Sequence, residues 1–231
     1  MKRIIKISLI LLLVGMAVIA AVPFFKEKRA ERKYENEFKK IQESVTEKKS
    51  DVNGLVKKNK DCIGYVEIQG TTISYPVMQT KDNPDFYLNH DFNRNYSFYG
   101  TPYLSAYCDV EKSDNLIIYG HNINGGKMFG ALEQYKDKEF FYKHRKIYFT
   151  TDKKREYEVF AVMSVNIHEF EYWKFVMARD EKEYDEFVDK VEEHSLWRQD
   201  NKLKYGEHML MLSTCDNGKG DDCRIVVIGK K

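Results

Sequence analysis

Three side chains that could do chemistry stand at the ends of apolar runs in this sequence. Cys215 follows the run 208–214, and Arg224 begins the next apolar run. His121 comes after the run 115–119 and one glycine. Apolar runs of this length, bounded by polar or glycine-containing segments, predict β-strands. We therefore expect a thiol, an imidazole and a guanidinium at three strand ends, which are rigid places from which side chains can line a cleft.

The segment between Cys215 and Arg224 is short, polar and glycine-bearing. This pattern predicts that the strands on either side of it are neighbours in one sheet, so that the arginine can lie beside the thiol. After His121, Gly125 and Gly126 give the chain a flexible return. Glycines also let the backbone approach a substrate closely.

A thiol, an imidazole and a guanidinium together fit nucleophilic acyl transfer. The thiolate attacks an acyl carbon, the imidazole returns a proton to the leaving amine, and the guanidinium holds the negative charge that develops on oxygen. Arginine suits the last role because it keeps its charge and offers a planar fork of donors. Asp216, the next residue after the cysteine, would raise the pKa of the thiol, because a like charge disfavours the thiolate.

Each of these residues also has a structural interpretation. A cysteine is commonly a small buried apolar side chain, a histidine after a strand commonly makes packing hydrogen bonds, and Arg224 could pair with Asp221 or Asp222. Cys215 could form a disulfide with Cys223 if their Cα atoms lie within about 7 Å, or the two thiols could bind zinc together with the histidine. The four cysteines have no CxxC spacing and no companion pair of histidines, so no metal site and no cofactor is predicted.

The charge of the chain is unevenly distributed. Residues 1–60 hold 15 Lys and Arg against 7 Asp and Glu, whereas residues 61–231 hold 23 against 29. A basic start on an acidic body points to a membrane surface, and the body has no basic, aromatic-rich patch of the kind that binds nucleic acid. The 231 residues can bury one good core, and 16 Tyr and 14 Phe favour strands over an all-helical body.

The N-terminal segment predicts a membrane anchor. Residues 7–25 carry no charge, and at about 1.5 Å per residue they nearly span the roughly 30 Å hydrocarbon layer. A cleaved signal peptide is the competing interpretation, with small residues at 17–21 for a peptidase. The anchor predicts a single-pass protein of the cell membrane, with residues 1–25 as cytoplasmic stub and span, and an extracellular body. Residues 26–58 are highly charged with a narrow apolar stripe, which predicts a helical spacer.

The body, residues 59–231, alternates short strand-like runs with turn signals. Eight such strands in a domain of this size predict a mainly β fold, a closed or nearly closed β-barrel, which also removes exposed sheet edges. Short helices are expected at 128–135 and 138–144, and a clear amphipathic helix at 181–194, capped by Asp180. The long helix-bearing insertion between the sixth and seventh strands, from Asn166 to Glu207, is expected to form a functional wall or lid. The strand candidates are 63–68, 71–78, 101–105, 115–119, 146–151, 155–166, 208–214 and 223–229.

The segments that carry the candidate chemistry resemble those of a known family. Leu212-Ser213-Thr214-Cys215, Tyr119-Gly120-His121-Asn122 and Arg224 at the start of the last strand resemble the signature segments of sortases, the membrane-anchored cysteine transpeptidases of Gram-positive cell surfaces. The helix-bearing insertion and the helical segment before the barrel are similar to class B in particular. The resemblance covers about residues 50–231.

The resemblance implies a sortase-type barrel with Cys215 as nucleophile, His121 as general acid and base, and Arg224 as substrate clamp and oxyanion stabiliser. It implies partners of two kinds: surface proteins bearing a C-terminal sorting signal, cleaved after Thr through a thioacyl-enzyme, and the amine of a peptidoglycan precursor. A second thiol beside the arginine, Cys223, departs from the family pattern. The same resemblance implies a substrate-binding set of Asn89, Tyr172, Ser213 and Thr214.

Two other functions stay open at the level of the sequence. A membrane-anchored cysteine peptidase would use water in place of the amine. A non-catalytic, wall-associated binding module would keep the barrel and lack a reactive thiol. The resemblance suggests a sorting motif of the Asn-Pro-X-Thr-Asn or Pro-X-Thr-Gly kind and leaves the acceptor amine undefined.

Overall fold

The computed structural model describes residues 2–47 and 52–231. The chain divides after Glu43 into two compact units, the first helical and the second containing all the strands. The helices are α1 (Lys2–Glu47), α2 (Val52–Lys58), α3 (Lys138–Lys143) and α4 (Glu181–Glu193), with short 3-10 helices at Phe86–Leu88, Gly130–Lys136 and Tyr172–Lys174. The predicted domain boundaries at residues 25 and 58 stay predictions.

The N-terminal prediction of a membrane anchor is wrong. Within 2–47 and 52–231, no helix is long and apolar enough to cross a membrane. A span needs about 20 predominantly apolar residues. Here the apolar run contains Pro23 and continues without a break into the charged part of a helix of 46 residues. The predicted span at 7–25 and the single-pass location in the cell membrane with an extracellular body are therefore withdrawn.

Within its described residues, the second unit contains eleven strands. They are β1 (Cys62–Ile68), β2 (Ser74–Met78), β3 (Tyr103–Leu104), β4 (Asn115–Tyr119), β5 (Asn122–Ile123), β6 (Lys127–Met128), β7 (Lys146–Thr150), β8 (Lys154–Asn166), β9 (Ser195–Arg198), β10 (Met209–Cys215) and β11 (Cys223–Lys230). Each of the eight predicted strands has a counterpart here, although β2 and β3 are shorter than predicted. β5, β6 and β9 were not predicted.

The strands close into an eight-stranded barrel, as predicted. They follow the order β11-β10-β4-β3-β2-β1-β7-β8, and β11 pairs with β8 to complete the ring. The barrel is mixed, because β4 runs parallel to β10 and β2 parallel to β3, whereas the other pairs are antiparallel. β9 extends the sheet beyond β8, and β5 and β6 form a separate hairpin. Closure leaves the barrel strands without free edges.

The burial of β4 and β10 explains why both strands could be predicted from the sequence. β10 is buried from Met209 to Thr214, and β4 is buried from Asn115 to Ile118. Strands that are covered on both faces read as continuous apolar runs. In each of these strands the last residue, Tyr119 or Cys215, is partly exposed, so the two strands reach the surface at an edge of the barrel.

The predicted insertion lies between β8 and β10. It contains the 3-10 turn Tyr172–Lys174, helix α4 and strand β9. Asp180 caps α4, since its side chain accepts a hydrogen bond of 2.9 Å from the Glu183 amide. The predicted helix at 128–135 is instead strand β6 followed by the 3-10 helix Gly130–Lys136. The buried face of α4 is formed by Tyr184, Phe187, Val188 and Val191.

Candidate active site

The parallel pairing of β4 and β10 brings the histidine segment to the cysteine. In this register Tyr119 lies opposite Ser213, so both strands end at the same edge of the barrel. The pairing continues past the strand ends: the Gly120 amide donates to the Ser213 carbonyl over 3.1 Å, and the Thr214 hydroxyl donates to the Gly120 carbonyl over 2.7 Å. His121 and Cys215 are the next residues on the two segments.

Arg224 lies directly opposite Cys215 in the antiparallel pair of β10 and β11. Residues opposite each other in such a pair project from the same face of the sheet, whereas Cys223, one position earlier, projects from the other face. The Arg224 Nη1 donates to the main-chain carbonyls of Asp221 (2.6 Å) and Cys223 (2.9 Å). The guanidinium is thus oriented by main-chain carbonyls, and Cys215 and Cys223 are both free thiols.

A cleft of about 580 Å³ opens at this edge of the barrel. Cys215, His121 and Arg224 all line it, so the structure gathers the three side chains that the sequence singled out. Tyr172, Ser213 and Thr214 line it as well, whereas Asn89 is exposed and is not among the lining residues. The insertion contributes one wall, and the other residues lining the cleft are Pro84, Asp85, Leu88, Tyr103, Ser105, Ala106, Tyr107, Tyr119, Gly120, Ile167 and Trp173.

The protonation of the His121 ring follows from its partner. Nε2 lies 2.8 Å from the Leu88 carbonyl oxygen, which can only accept a hydrogen bond, so Nε2 carries a proton. Nδ1 is then the nitrogen that can exchange a proton with another group. The exposed ring of Phe98 lies nearly parallel to the imidazole, with 6.4 Å between ring centroids.

Tyr172 and Ser213 form a fixed part of the cleft wall. Their side-chain oxygens are 2.7 Å apart, and both residues are buried. Burial raises the pKa of Tyr172 to about 12, partly opposed by the hydrogen bond to Ser213 and by the charge of Arg224. The tyrosine is therefore protonated at neutral pH. The hydroxyls of Ser213 and Thr214 already have protein partners, so these residues shape the groove more than they donate into it.

The four thiols differ in their access to the cleft. Cys62 and Cys108 are buried, and burial raises the pKa of Cys62 to about 12 and that of Cys108 to about 11. Both are therefore unreactive thiols. Cys215 and Cys223 are partly exposed, and of these two only Cys215 lines the cleft.

A family model for the sortase domain matches residues 66–231. The chain belongs to the sortase family. Sortase B of Staphylococcus aureus is 29% identical over 240 residues, covering 100% of this chain and 97% of that protein. Sortase B of Listeria monocytogenes is 32% identical over 187 residues, covering 80% of this chain and 75% of that protein.

Solved structures agree with a class B sortase. A Staphylococcus aureus sortase B–substrate complex has a TM-score of 0.77 at 27% identity, covering 89% of this chain and 97% of that one. Clostridium perfringens sortase B has a TM-score of 0.72 at 30% identity, covering 77% and 97%. The predicted resemblance is confirmed: this chain is a class B sortase, a sortase-type cell-wall transpeptidase with the mixed barrel and N-terminal helices of sortase B structures.

The sequence did not reveal which groups surround the sortase's histidine and cysteine. Asp216 was expected to act as a negative neighbour of the thiol, but its fully buried carboxylate is paired with Lys136, 2.6 Å away, and with the Ser164 hydroxyl, 2.7 Å away. Although burial raises the pKa of Asp216, these hydrogen bonds lower it below its ordinary value overall. A main-chain carbonyl, that of Leu88, holds the histidine, and no side-chain pattern could have indicated it.

No metal-binding group is present in the part of the sortase that the structure describes. Among those residues, no three His, Cys, Asp or Glu side chains are grouped so that they could hold an ion. The opposite orientations of Cys215 and Cys223 in the β10–β11 ladder also argue against a zinc site shared by the two thiols.

Gly120 places the histidine segment against the 3-10 helix at Gly130–Lys136. A Cβ at this position would lie 2.7 Å from the Phe129 ring, which is fully buried. We expect Gly120→Ala to lower the free energy of unfolding by about 1–3 kcal/mol, because the ring has no room to move. Denaturant unfolding measures this change. The control is Gly218→Ala, where the added carbon would make only ordinary contacts at 3.6 Å or more, and equal losses in the two variants would contradict the explanation.

Proposed function

We propose that this class B sortase cleaves a C-terminal sorting signal after its Thr through a thioacyl-enzyme on Cys215, and passes the protein to the amine of a cell-wall precursor. The proposal depends above all on one observation. Of the four thiols, only Cys215 lines the cleft, and it does so beside His121 and opposite Arg224.

The proposed reaction has two halves. The Cys215 thiolate attacks the Thr carbonyl, the peptide C–N bond breaks, and His121 gives a proton to the leaving amine. The amine of the precursor then attacks the thioester, His121 takes its proton, and the thiolate leaves. Nδ1 is the nitrogen assigned to these transfers, because Nε2 is bound to the Leu88 carbonyl.

Arg224 is the proposed clamp for the substrate carbonyl. Nη1 is held by two main-chain carbonyls, and among the described residues Nε and Nη2 have no hydrogen-bond partner. Because the main-chain carbonyls already fix the orientation of the guanidinium, Nε and Nη2 can donate to the negatively charged oxygen of the tetrahedral intermediate without rearrangement of the side chain. Lysine could not replace this fork of donors.

The proposed groove for the sorting signal has a wall formed by Tyr172, Ser213 and Thr214. The substrate held by Staphylococcus aureus sortase B supports a substrate site in this fold. Asn89 is retained as a contact to the substrate backbone at the outer edge, where it follows Leu88, the residue that binds the histidine. A peptide that reaches Asn89 must extend beyond the residues that line the cleft.

Product analysis separates transfer from hydrolysis. With a peptide containing a Pro-X-Thr sorting motif and an excess of triglycine, we expect mass spectrometry to find the amide of the N-terminal fragment with triglycine, because the amine competes with water for the thioester. The control reaction contains no triglycine, and its expected products are the free carboxylic acid of the N-terminal fragment or the acyl-enzyme. If the free carboxylic acid of the N-terminal fragment is the only product with and without triglycine, the cysteine peptidase is favoured. If the peptide is not cleaved and a substrate-like probe labels no thiol, the non-catalytic binding module is favoured.

A further inference from the structure

The residues that follow the nucleophile and the histidine are joined by a group of buried and half-buried polar contacts. Asp216, immediately after Cys215, has a side chain that is 0% exposed. Its carboxylate accepts from Lys136 Nζ (2.6 Å), from the Ser164 hydroxyl (2.7 Å) and from the Gly218 amide (3.2 Å). A carboxylate is stable in such a position only when it is paired and hydrogen-bonded.

Lys136 also holds a second carboxylate. Its Nζ lies 2.7 Å from Glu133 Oε2, so one ammonium group serves two acidic side chains. Both residues lie on the 3-10 helix Gly130–Lys136, and the Lys136 carbonyl accepts a 3.0 Å hydrogen bond from Trp197 of strand β9. The lysine is therefore fixed from the side of the insertion as well as from the barrel.

Asn122 connects this group to both candidate catalytic segments. It follows His121, and its Nδ2 donates to Glu133 Oε1 (2.8 Å) and to the Cys215 carbonyl (2.7 Å). The last paired residues of β4 and β10 are Tyr119 and Ser213. Beyond these two residues, the Asn122 side chain links the segment that follows β4 to the end of β10. We call Asn122, Glu133, Lys136, Ser164 and Asp216 the polar brace.

We propose that Lys136 is a positioning residue of the transpeptidase, which holds Asp216 so that Cys215 faces His121 and which cancels the negative charge beside the thiol. The inference rests on the proposed function, since it takes Cys215 as the nucleophile. It assigns Lys136 no contact with substrate.

The charged and titratable groups that share the cleft with the thiol include Asp85 and the tyrosines Tyr103, Tyr107 and Tyr119. His121 and Arg224 line the same cleft, Tyr172 lies within electrostatic range of both Cys215 and Arg224, and Asp216 is the adjacent residue. In the polar brace the only cation is Lys136 and the acids are Asp216 and Glu133. Removing the lysine charge therefore leaves the carboxylate of Asp216 as a new negative charge next to the thiol, which disfavours the thiolate.

The test compares Lys136→Met, Asp216→Asn and the double variant, each in a Cys223→Ala background so that alkylation by iodoacetamide reports on Cys215. For Lys136→Met we expect kcat to fall between about tenfold and a hundredfold with KM for the sorting peptide nearly unchanged, because the reacting groups lose their alignment.

We also expect the pH midpoint for alkylation of the Cys215 thiol to move upward in Lys136→Met. Adding Asp216→Asn should return the midpoint toward that of the parent protein, and Lys143→Met, an exposed lysine on α3, should change neither quantity.

Each outcome bears on the inference. An unchanged kcat and an unchanged alkylation midpoint in Lys136→Met would overturn it, and a midpoint that stays raised in the double variant would overturn the role of charge. If Lys136→Met does not fold, Asp216→Asn alone is compared with the parent protein. It breaks the pair from the carboxylate side and adds no negative charge beside the thiol, so kcat should fall about tenfold to a hundredfold while the alkylation midpoint does not move upward. An unchanged kcat, or an upward shift of the midpoint in Asp216→Asn, would refute the proposal. If the parent protein cleaves no sorting peptide, the proposed function fails while the alkylation profiles still test the brace.

Discussion

Replacing Cys215 with alanine is expected to abolish both cleavage of a sorting peptide and formation of the amide product. The loss should be at least about 10⁴-fold, because the remaining groups can neither form nor break the thioester. The fold should survive, since Cys215 is only partly buried at the end of β10 and alanine suits the same position. The measurement is the rate of peptide cleavage by chromatography, with circular dichroism and thermal unfolding as checks on the fold.

The chain provides a matched control for this variant. Cys223 is also a free, partly exposed thiol near the same edge of the barrel, but it projects from the other face of the β10–β11 ladder and does not line the cleft. Cys223→Ala should therefore retain cleavage and transfer close to the parent rates. Substantial cleavage by Cys215→Ala, or comparable losses in the two variants, would remove the nucleophile assignment.

Replacing His121 with alanine is expected to lower kcat for the sorting peptide by about 10²–10⁴-fold, the range of a lost general acid and base. In the proposed reaction the imidazole exchanges protons with the leaving and attacking amines. Its loss also removes the contact to the Leu88 carbonyl. Steady-state kinetics with a fluorescent sorting peptide measures the effect. KM should change less than kcat, because the ring acts on the bond that breaks.

His168→Ala is the matched control for the histidine. The His168 side chain is 73% exposed, lies 3.6 Å from the Asp222 carboxylate, and is not among the residues that line the cleft. Its replacement should leave kcat nearly unchanged. A His121→Ala enzyme that retains kcat within a few-fold would show that protons are transferred by another group.

The sequence indicated the barrel because its central strands are covered on both faces. β4 and β10 therefore appear as unbroken apolar runs, and their polar ends mark the edge where the cleft opens. β9 was missed because it has only four residues and its burial alternates between partial and none, which gives no recognisable run. β5 and β6 have two residues each and are defined by their pairing alone.

The candidate site was predictable in its members but not in its arrangement. Cys215, His121 and Arg224 stood out because each adjoins an apolar run, yet their proximity depends on a parallel register that no local pattern specifies. Lys136 gave no signal, because a lysine in a charged segment looks like any solvated surface residue until the fold brings it to Asp216. An ion pair between residues far apart in the sequence cannot be predicted from local sequence patterns.

The N-terminal prediction failed for a related reason. The composition of residues 7–25 alone predicts a membrane span, whereas α1 continues from that run into a charged segment and forms one helix of 46 residues. The amphipathic helix α4 shows the opposite case. Its buried positions recur at helical spacing and its cap is local, so the sequence alone was sufficient.

The parallel pairing of β4 with β10 also affects how the chain folds. Thr214 and Gly120, which meet just past the strand ends, are 94 positions apart, and the ring closes through the pairing of β11, the last strand in sequence order, with β8. Contacts between such distant positions slow folding, because a long loop must close before any of them can form. During synthesis the chain therefore contains the proposed general acid and base, His121, well before the proposed nucleophile, Cys215. We expect the proposed active site to be complete only after both strands have been made and paired.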